Sequence, residues 1–304
     1  MANFGPKDIK KLRGMTDAGM MDCKQALSAT DGDMDAAVEW LRKKGLGAAA
    51  KKAGKVAAEG TLAIKVSENR AVLAEINSQT DFVAQNDKFK TFVAEVVDHA
   101  FANGINDAEA LNSSEIGGQP FAEYLSLQIS TIGENMVARR VAAIDADDTT
   151  AINGYVHANG KVGVIVSAKC DSTATASAVT TALKEISMHA AAMNPSFLDE
   201  SQIDESVIEK EKEIARAQLI KEGKPEAILE KILPGKIKRF LQDNTLVAQK
   251  FVMNDKLSVA EHLSAVAKEA GGTATLSEYV RFGLGDGIEV VEEDFAAEVA
   301  AQMA

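Results

Sequence analysis

The sequence predicts an α+β protein, and three observations lead to this fold class. Residues 6–45 carry apolar side chains at helical spacing in three short runs. Two strand–turn–strand patterns follow, and each continues into a helical pattern and later a third strand. A charged pair of helical patterns interrupts the second of these units. We therefore expect two three-stranded antiparallel sheets backed by helices, with smaller helical parts attached.

The composition is that of a soluble globular protein with room for two or three domains. The chain has 304 residues, of which 46% are hydrophobic and 26% charged. A net charge of −12 argues against direct nucleic-acid binding, which needs clustered Lys and Arg side chains. The clearest basic cluster is Lys51, Lys52 and Lys55, which we interpret as a solvated helix face. Cys23 and Cys170 lie too far apart in sequence to indicate a disulfide framework or a zinc site.

No signal for export or membrane insertion is visible. The first residues lack a basic segment followed by an apolar one, and no apolar run approaches the roughly 20 residues that span a bilayer. We therefore expect a cytoplasmic protein that does not contact a membrane.

Residues 1–45 are predicted to form a three-helix module, and residues 46–60 a linker that is helical at first. Asp33 fits the N-cap of the third helix, whose apolar positions end before Gly45. Met20 and Met21 point in different directions on the second helix, so both cannot easily be buried. Each methionine could fill the core or contact a partner.

The following part of the chain contains a weak internal repeat. In the first copy, residues 61–146, strands are predicted at 61–66, 71–77 and 139–144, with a helix at 87–101. In the second copy, residues 147–286, strands are predicted at 151–157, 162–168 and 279–283, with a helix at 177–192. Asn159-Gly160 is the strongest hairpin signal in the chain.

An insertion at about residues 200–243 should form an antiparallel, coiled-coil-like helical hairpin. Its first arm has a narrow apolar stripe of Ile203, Val207 and Ile214, and Pro225 suits the first turn of the returning arm. Pro234-Gly235 is expected to kink or break that arm.

The C-terminal part is predicted as a flexible glycine-rich hinge at residues 283–287 and a helical module at 287–304. Phe295, Val299 and Met303 recur at helical spacing in this module. The module could fold back on the protein or reach a partner.

Phe82 stands immediately after the second predicted strand, where the pattern turns polar and a helix begins. It could be a core ring at a turn that Asp81 caps, or a wedge held out to a partner. The equivalent place in the second copy has Cys170-Asp171-Ser172 and no aromatic ring. If the fold of the repeat required an aromatic ring at this place, both copies would have one. We therefore favour the interpretation of Phe82 as a wedge, with Asp81 as the residue that positions it.

The sequence predicts a binding protein rather than an enzyme, with no cofactor. It contains no phosphate-binding loop, dinucleotide fingerprint or cluster of metal ligands. A cysteine hydrolase could be imagined from Cys170 with His157 or His189. However, Cys170 ends an apolar strand and is more typical of a small buried side chain. His189, on an apolar helix, is better interpreted as a hydrogen-bonded core histidine.

Several motifs resemble one protein family in order and spacing. They are Met20-Met21-Asp22-Cys23-Lys24, Thr80-Asp81-Phe82-Val83-Ala84 and Gln249-Lys250-Phe251-Val252, with further likeness at Leu12-Arg13, His157, residues 160–164, Met188-His189-Ala190-Ala191 and Asn194-Pro195. The chain thereby resembles the bacterial elongation factor Ts family, the guanine-nucleotide exchange factors for elongation factor Tu. Pro234-Gly235 and Asn254 depart from the family pattern.

The resemblance implies a ubiquitin-associated (UBA)-like N-terminal module, two similar core subdomains, an inserted coiled coil and a C-terminal helical module. It also implies that the partner is elongation factor Tu in its GDP-bound and nucleotide-free forms. Three sets of contact residues follow: Thr80, Asp81, Phe82 and Val83 near the partner's Mg²⁺ site, Leu12, Met20 and Met21 on the same partner domain, and His157, Gly160, Val162 and Gly163 on its third domain. A UBA-type adaptor that uses the core only as a scaffold remains the alternative.

Overall fold

The order of the elements follows the predicted repeat. The structure, a computed structural model, describes residues 3–16 and 18–289. The helices are α1 (Pro6–Thr16), α2 (Met20–Ala29), α3 (Met34–Lys52), α4 (Asp81–Gln85), α5 (Asp87–Ala102), α6 (Ala108–Asn112), α7 (Phe121–Ile132), α8 (Thr173–Met193), α9 (Glu205–Lys221), α10 (Glu226–Asn244) and α11 (Val259–Glu269). The strands are β1 (Glu59–Val66), β2 (Arg70–Ser78), β3 (Glu115–Ile116), β4 (Gln119–Pro120), β5 (Met136–Asp145), β6 (Thr150–Val156), β7 (Val162–Cys170), β8 (Lys250–Phe251), β9 (Asn254–Ser258) and β10 (Ala274–Gly283). The predicted C-terminal helix with Phe295, Val299 and Met303 lies outside the described residues.

Two three-stranded antiparallel sheets form the centre of the fold. The first has the order β1-β2-β5 and the second the order β10-β7-β6. In each half the second strand of the hairpin lies in the middle, and the third strand joins on its far side. The predicted α+β class, the two hairpins and the two later strands are therefore confirmed.

The sheets face each other, and helices cover their outer faces. Alternation along β2 sends Val72, Ala74 and Ile76 outward to the helices of the first half, because successive strand residues point to opposite faces. Leu73 points inward and shares a buried cluster with Ile165 of the second half. The two halves therefore share one apolar layer in addition to having a core each.

The N-terminal helices α1, α2 and α3 enclose a small core of their own. Helix α3 does not end before Gly45 but continues to Lys52. It packs on α7 of the first half, where a side chain at Gly45 would come within 3.1 Å of Leu127 Cδ2. Arg42 also forms an ion pair with Glu123 of α7. This packing stabilises the extra turns of α3.

Helices α9 and α10 form the predicted helical hairpin, but its apolar seam differs from the predicted stripe. Ala215 and Leu219 are buried against Leu229 and Leu233. Ile214 is 41% exposed and Val207 is also exposed, so that part of the prediction was wrong.

Pro234 does not break the returning arm, since α10 runs uninterrupted to Asn244. Proline removes one backbone hydrogen bond from a helix interior. Burial of Leu229, Leu233 and Ile237 around it offsets that loss.

The predicted flexible hinge at residues 283–287 is instead a fixed turn. The buried carboxylate of Glu75 in β2 accepts a hydrogen bond from the Gly285 N–H at 2.8 Å. Arg140 Nη2 donates to the Gly283 carbonyl at 2.7 Å, and the guanidinium lies 4.3 Å from the ring centre of Phe282. The turn is therefore bound to the first half of the molecule.

Candidate protein-interaction site

Phe82 projects from the surface of the first half. It lies on the short helix α4, directly after β2, and its side chain is 84% exposed. The next two residues face the other way, since Ala84 belongs to the buried core of the first half and Val83 packs against it. The exposed ring is thus carried by a turn whose other side is anchored in the protein.

Thr80, rather than Asp81, caps this turn. The Thr80 hydroxyl accepts a hydrogen bond from the Val83 N–H at 3.3 Å, which is the N-cap arrangement. Asp81 occupies the first helical turn and is exposed. The prediction that Asp81 positions the ring is therefore corrected in favour of Thr80.

The loop between α7 and β5 holds the turn from behind. Glu134 accepts hydrogen bonds from the Thr80 N–H at 3.0 Å and the Thr80 hydroxyl at 2.7 Å. The Asn135 N–H donates to Gln79 Oε1 at 2.9 Å, and the Asn135 side chain donates to the Lys55 carbonyl at 2.8 Å. Glu134 and Asn135 were not predicted as functional residues from the sequence, although an acid and an amide directly after a helix-ending glycine were a usable signal.

The second half is built differently at the equivalent place. Thr173 begins α8 three residues after β7 ends, so no short helix intervenes between β7 and α8 in the described part of this half. Ser172 caps α8, and Asp171 bonds the Thr175 hydroxyl at 2.8 Å. The repeat does not require α4 or its ring.

Met20 and Met21 are both exposed, at 59% and 65%. They begin α2, whose inner face buries Cys23 and Leu27. Leu12, which the family resemblance implied as a third contact, is fully buried in the core of the N-terminal helices. Its placement is corrected, because its side chain lies in the core with Cys23 and Leu27 of α2 and not on the surface.

The predicted contacts of the second half divide into surface and interior positions. His157 is exposed, and its Nδ1 lies 2.9 Å from Asn159 Oδ1. Gly160 has φ +70°, which favours glycine, and its carbonyl accepts from the Leu62 N–H at 2.8 Å. Val162 is half-buried.

Gly163 is buried between the two sheets. A Cβ there would come within 2.6 Å of Leu73 Cδ1, so the glycine permits the close approach of the halves. Its prediction as a partner contact is corrected for this reason.

The environment of Cys170 does not support the cysteine hydrolase interpretation. Burial raises the pKa of the Cys170 thiol, and the neighbouring Asp171 adds to that shift, so the reactive thiolate is disfavoured. His189 is a buried core histidine, as predicted, whose Nε2 lies 2.9 Å from Gln249 Oε1. Within residues 3–16 and 18–289, no group of three His, Cys, Asp or Glu side chains could hold a metal ion. Over the same ranges, no helix has the length and apolar character needed to cross a membrane.

Exposed aromatic and methionine side chains on elements that are otherwise packed are typical of proteins that bind another protein. The fold and the site therefore define a protein-binding α+β protein. Sequence comparisons give the family. The family model described as "Elongation factor TS" matches residues 79–286. The chain belongs to the elongation factor Ts family and has a role in translation elongation.

Similar proteins cover all or nearly all of the chain. The elongation factor Ts of a Sulfurovum species is 54% identical, with 100% of each chain covered. That of a Nitratiruptor species is 53% identical over 97% of each chain, and that of Nautilia profundicola is 49% identical over 100% of each.

Proposed function

We propose that the chain binds elongation factor Tu in its GDP-bound and nucleotide-free forms and accelerates GDP release so that GTP can bind. The observation that carries this proposal is the 84% exposed ring of Phe82 on an anchored turn. In this proposal Phe82, with Thr80, Asp81 and Val83 around it, enters the GTPase near its Mg²⁺ site. No covalent chemistry, nucleic acid or membrane contact is part of the proposed activity.

The physical basis is the loss of positive charge at the phosphates. A GTPase holds GDP through backbone donors and a Mg²⁺ ion that neutralises the phosphate oxygens. A wedge that disturbs the coordination of the ion weakens this stabilisation, and the nucleotide leaves. Burying one phenylalanine contributes about 1.5–3 kcal/mol, and tenfold in rate corresponds to about 1.4 kcal/mol. The ring therefore supplies only part of a large acceleration.

Further contacts supply the rest. Met20 and Met21 are exposed beside each other on α2 and fit a contact on the same partner domain. His157 and the hairpin turn at Gly160 fit a second contact, on the third domain of the partner. In this proposal residues 1–45 form a UBA-like module and residues 46–60 a linker. The rest comprises subdomains at 61–146 and 147–286, a coiled coil at about 200–243 and a C-terminal module at 287–304.

GDP and the chain both bind the GTPase, and the coupling between these two binding events explains how one molecule of the chain acts many times. If the chain lowers the affinity of the GTPase for GDP by some factor, GDP lowers the affinity for the chain by the same factor. Binding of a new nucleotide then displaces the chain. The chain therefore acts catalytically without making or breaking a covalent bond.

The test measures release of labelled GDP from elongation factor Tu. We expect the unmodified chain to accelerate release and Phe82→Ala to do so roughly 10- to 100-fold less, the factor that corresponds to the lost burial. Ile220→Ala is the matched control, because Ile220 is also an exposed apolar side chain, 59% exposed, but lies on the helical hairpin. Equal acceleration by the unmodified chain and Phe82→Ala would refute the wedge.

The adaptor alternative is favoured by one observation, the exposed pair Met20 and Met21. It predicts that the double variant Met20→Ala, Met21→Ala loses all binding of the GTPase, whereas Phe82→Ala binds and exchanges normally. If the chain is an exchange factor, the double methionine variant should bind the GTPase more weakly. It should still accelerate GDP release when the variant is present at high concentration.

A further inference from the structure

Glu134 connects the Phe82 turn to a distant part of the chain. It follows Gly133, which ends α7 in the left-handed conformation at φ +95°, and it precedes β5. Its two carboxylate oxygens accept the N–H and the hydroxyl of Thr80, at 3.0 Å and 2.7 Å. Glu134 lies 54 positions after Thr80 in the sequence, yet it bonds the residue that caps the turn.

The hydrogen bonds to Glu134 fix the orientation of the Thr80 hydroxyl, and thereby which group it donates to and which it accepts from. A hydroxyl has one proton to donate and lone pairs to accept with. Because the proton is directed to Glu134, a lone pair remains for the Val83 N–H, which lies 3.3 Å away. The carboxylate thereby sets the hydroxyl orientation that the N-cap needs.

We propose that Glu134 is a positioning residue for Phe82, holding α4 in the orientation that presents the ring to the partner. The inference rests on the proposed exchange function. A helix of five residues is not stable by itself, since nucleation is unfavourable and only a few backbone bonds form. Contacts from outside must hold it, and Glu134 provides two of them at its N-cap residue, Thr80.

A turn that is already ordered binds more tightly than one that must become ordered on binding. Without Glu134 the ring would sample several orientations, and part of its burial energy would be spent on fixing one. The effect of Glu134 should therefore operate through Phe82 and vanish when the ring is absent.

The second half offers a matched control. Asp171 holds the start of α8 by bonding the Thr175 hydroxyl at 2.8 Å and the Thr273 N–H at 2.9 Å. Asp171 lies in the strand-to-helix connection that corresponds to the Phe82 turn, and its carboxylate, like that of Glu134, accepts hydrogen bonds from a hydroxyl and a backbone N–H. The helix it holds presents no exposed aromatic ring at that place.

The experiment measures GDP release from elongation factor Tu at saturating factor for the unmodified chain, Glu134→Ala, Glu134→Gln, Phe82→Ala, Asp171→Ala and the double variant Glu134→Ala, Phe82→Ala. We expect Glu134→Ala, which removes both hydrogen bonds to Thr80, to slow release on the order of tenfold, because the ring is still present and only its fixed orientation is lost. Glu134→Gln should slow release less, because one acceptor oxygen remains. This variant tests the inference if Glu134→Ala folds poorly. Asp171→Ala should match the unmodified chain.

The decisive comparison is the double variant. If Glu134 acts through the ring, replacing it in the Phe82→Ala background changes the rate by no more than about twofold. Hydrogen exchange of the Thr80 and Val83 amides should rise in Glu134→Gln while that of α5 stays unchanged. An unchanged rate in both Glu134 variants, or an equal slowing with and without the ring, would overturn the inference. Failure of the unmodified chain to accelerate release would instead refute the proposed function itself.

Discussion

The carboxylate of Glu75 in the first half accepts a hydrogen bond from the backbone N–H of Gly285 in the second, at 2.8 Å. Glu75 is fully buried, and it also accepts from Arg139 at 3.1 Å, from Asn77 at 3.1 Å and from Arg140. A buried carboxylate that is fully hydrogen-bonded in this way joins the middle of one sheet to the end of the other.

Removing this carboxylate should destabilise the whole protein. We expect Glu75→Ala to lower the free energy of unfolding by about 3–5 kcal/mol, because two arginines and a backbone N–H lose their buried partner. Urea unfolding followed by circular dichroism measures the change. The control is Glu39→Ala, which removes an exposed ion pair with Lys43 and should leave the urea midpoint unchanged. Equal midpoints in the two variants would contradict the role assigned to Glu75.

Phe82 and Phe92 allow the same substitution to be compared on the surface and in the core. Phe92 is buried between the first sheet and its helices, so Phe92→Ala should cost about 3–5 kcal/mol of stability. Phe82→Ala should leave the urea midpoint where it is, since the ring has little apolar contact to lose. A marked destabilisation by Phe82→Ala would mean that the ring packs on the protein in solution.

Gly163 provides a test of the shared layer between the sheets. Gly163→Ala places a methyl group 2.6 Å from Leu73 Cδ1, and such overpacking costs about 1–3 kcal/mol. The control is Gly47→Ala in α3, where no atom lies within 4 Å of the new methyl group and a gain of about 0.4–1 kcal/mol is expected. Thermal unfolding of both variants gives the comparison. A Gly163→Ala variant that kept its stability but bound the partner poorly would restore the original prediction of a direct contact.

His189 should make stability depend on pH. Its Nε2–H donates to Gln249 and its Nδ1 accepts from the Val252 N–H at 3.1 Å, so the neutral ring has both nitrogens bonded. Burial lowers the pKa of His189 below its ordinary value. The unfolded chain therefore binds a proton first, at a pKa of about 6.5, and stability declines as the pH falls from there through the lower folded-state pKa.

The measurement is urea unfolding at several pH values between about 7.5 and 5, the window below the unfolded-state pKa. His189→Gln cannot titrate, and we expect its unfolding free energy to fall less steeply across that window. Parallel pH profiles for the unmodified chain and the variant would exclude His189 as the source of the dependence.

Patterns that are local in sequence predicted much of this fold. The alternation in β1, β2, β6 and β7 and the Asn159-Gly160 turn were sufficient for both hairpins. The exposure of Phe82 could be predicted because the other copy of the repeat lacks a ring at that place. Both inferences use neighbouring residues or the comparison of two copies.

The predictions that the structure corrected concern contacts between parts of the chain that are distant in sequence. Gly163 looks like any strand glycine until Leu73 is placed against it. The hinge at residues 283–287 is fixed by Glu75, whose signal in the sequence was an acid within an otherwise apolar strand. In the helical hairpin, Ala215 and Leu219 form the seam instead of Val207 and Ile214, because packing against α10 selects the face.

The apolar layer between the sheets has a consequence for the order in which the protein is made. Leu73 and Ile144 leave the ribosome first, and they are covered only when Ile165 and β10 have followed. At synthesis rates of roughly 5–20 residues per second, the inner face of the first half waits on the order of ten seconds for its cover. During that interval the nascent first half exposes an apolar surface that is prone to aggregation. Chaperone binding and the rate of translation therefore affect the yield of folded protein.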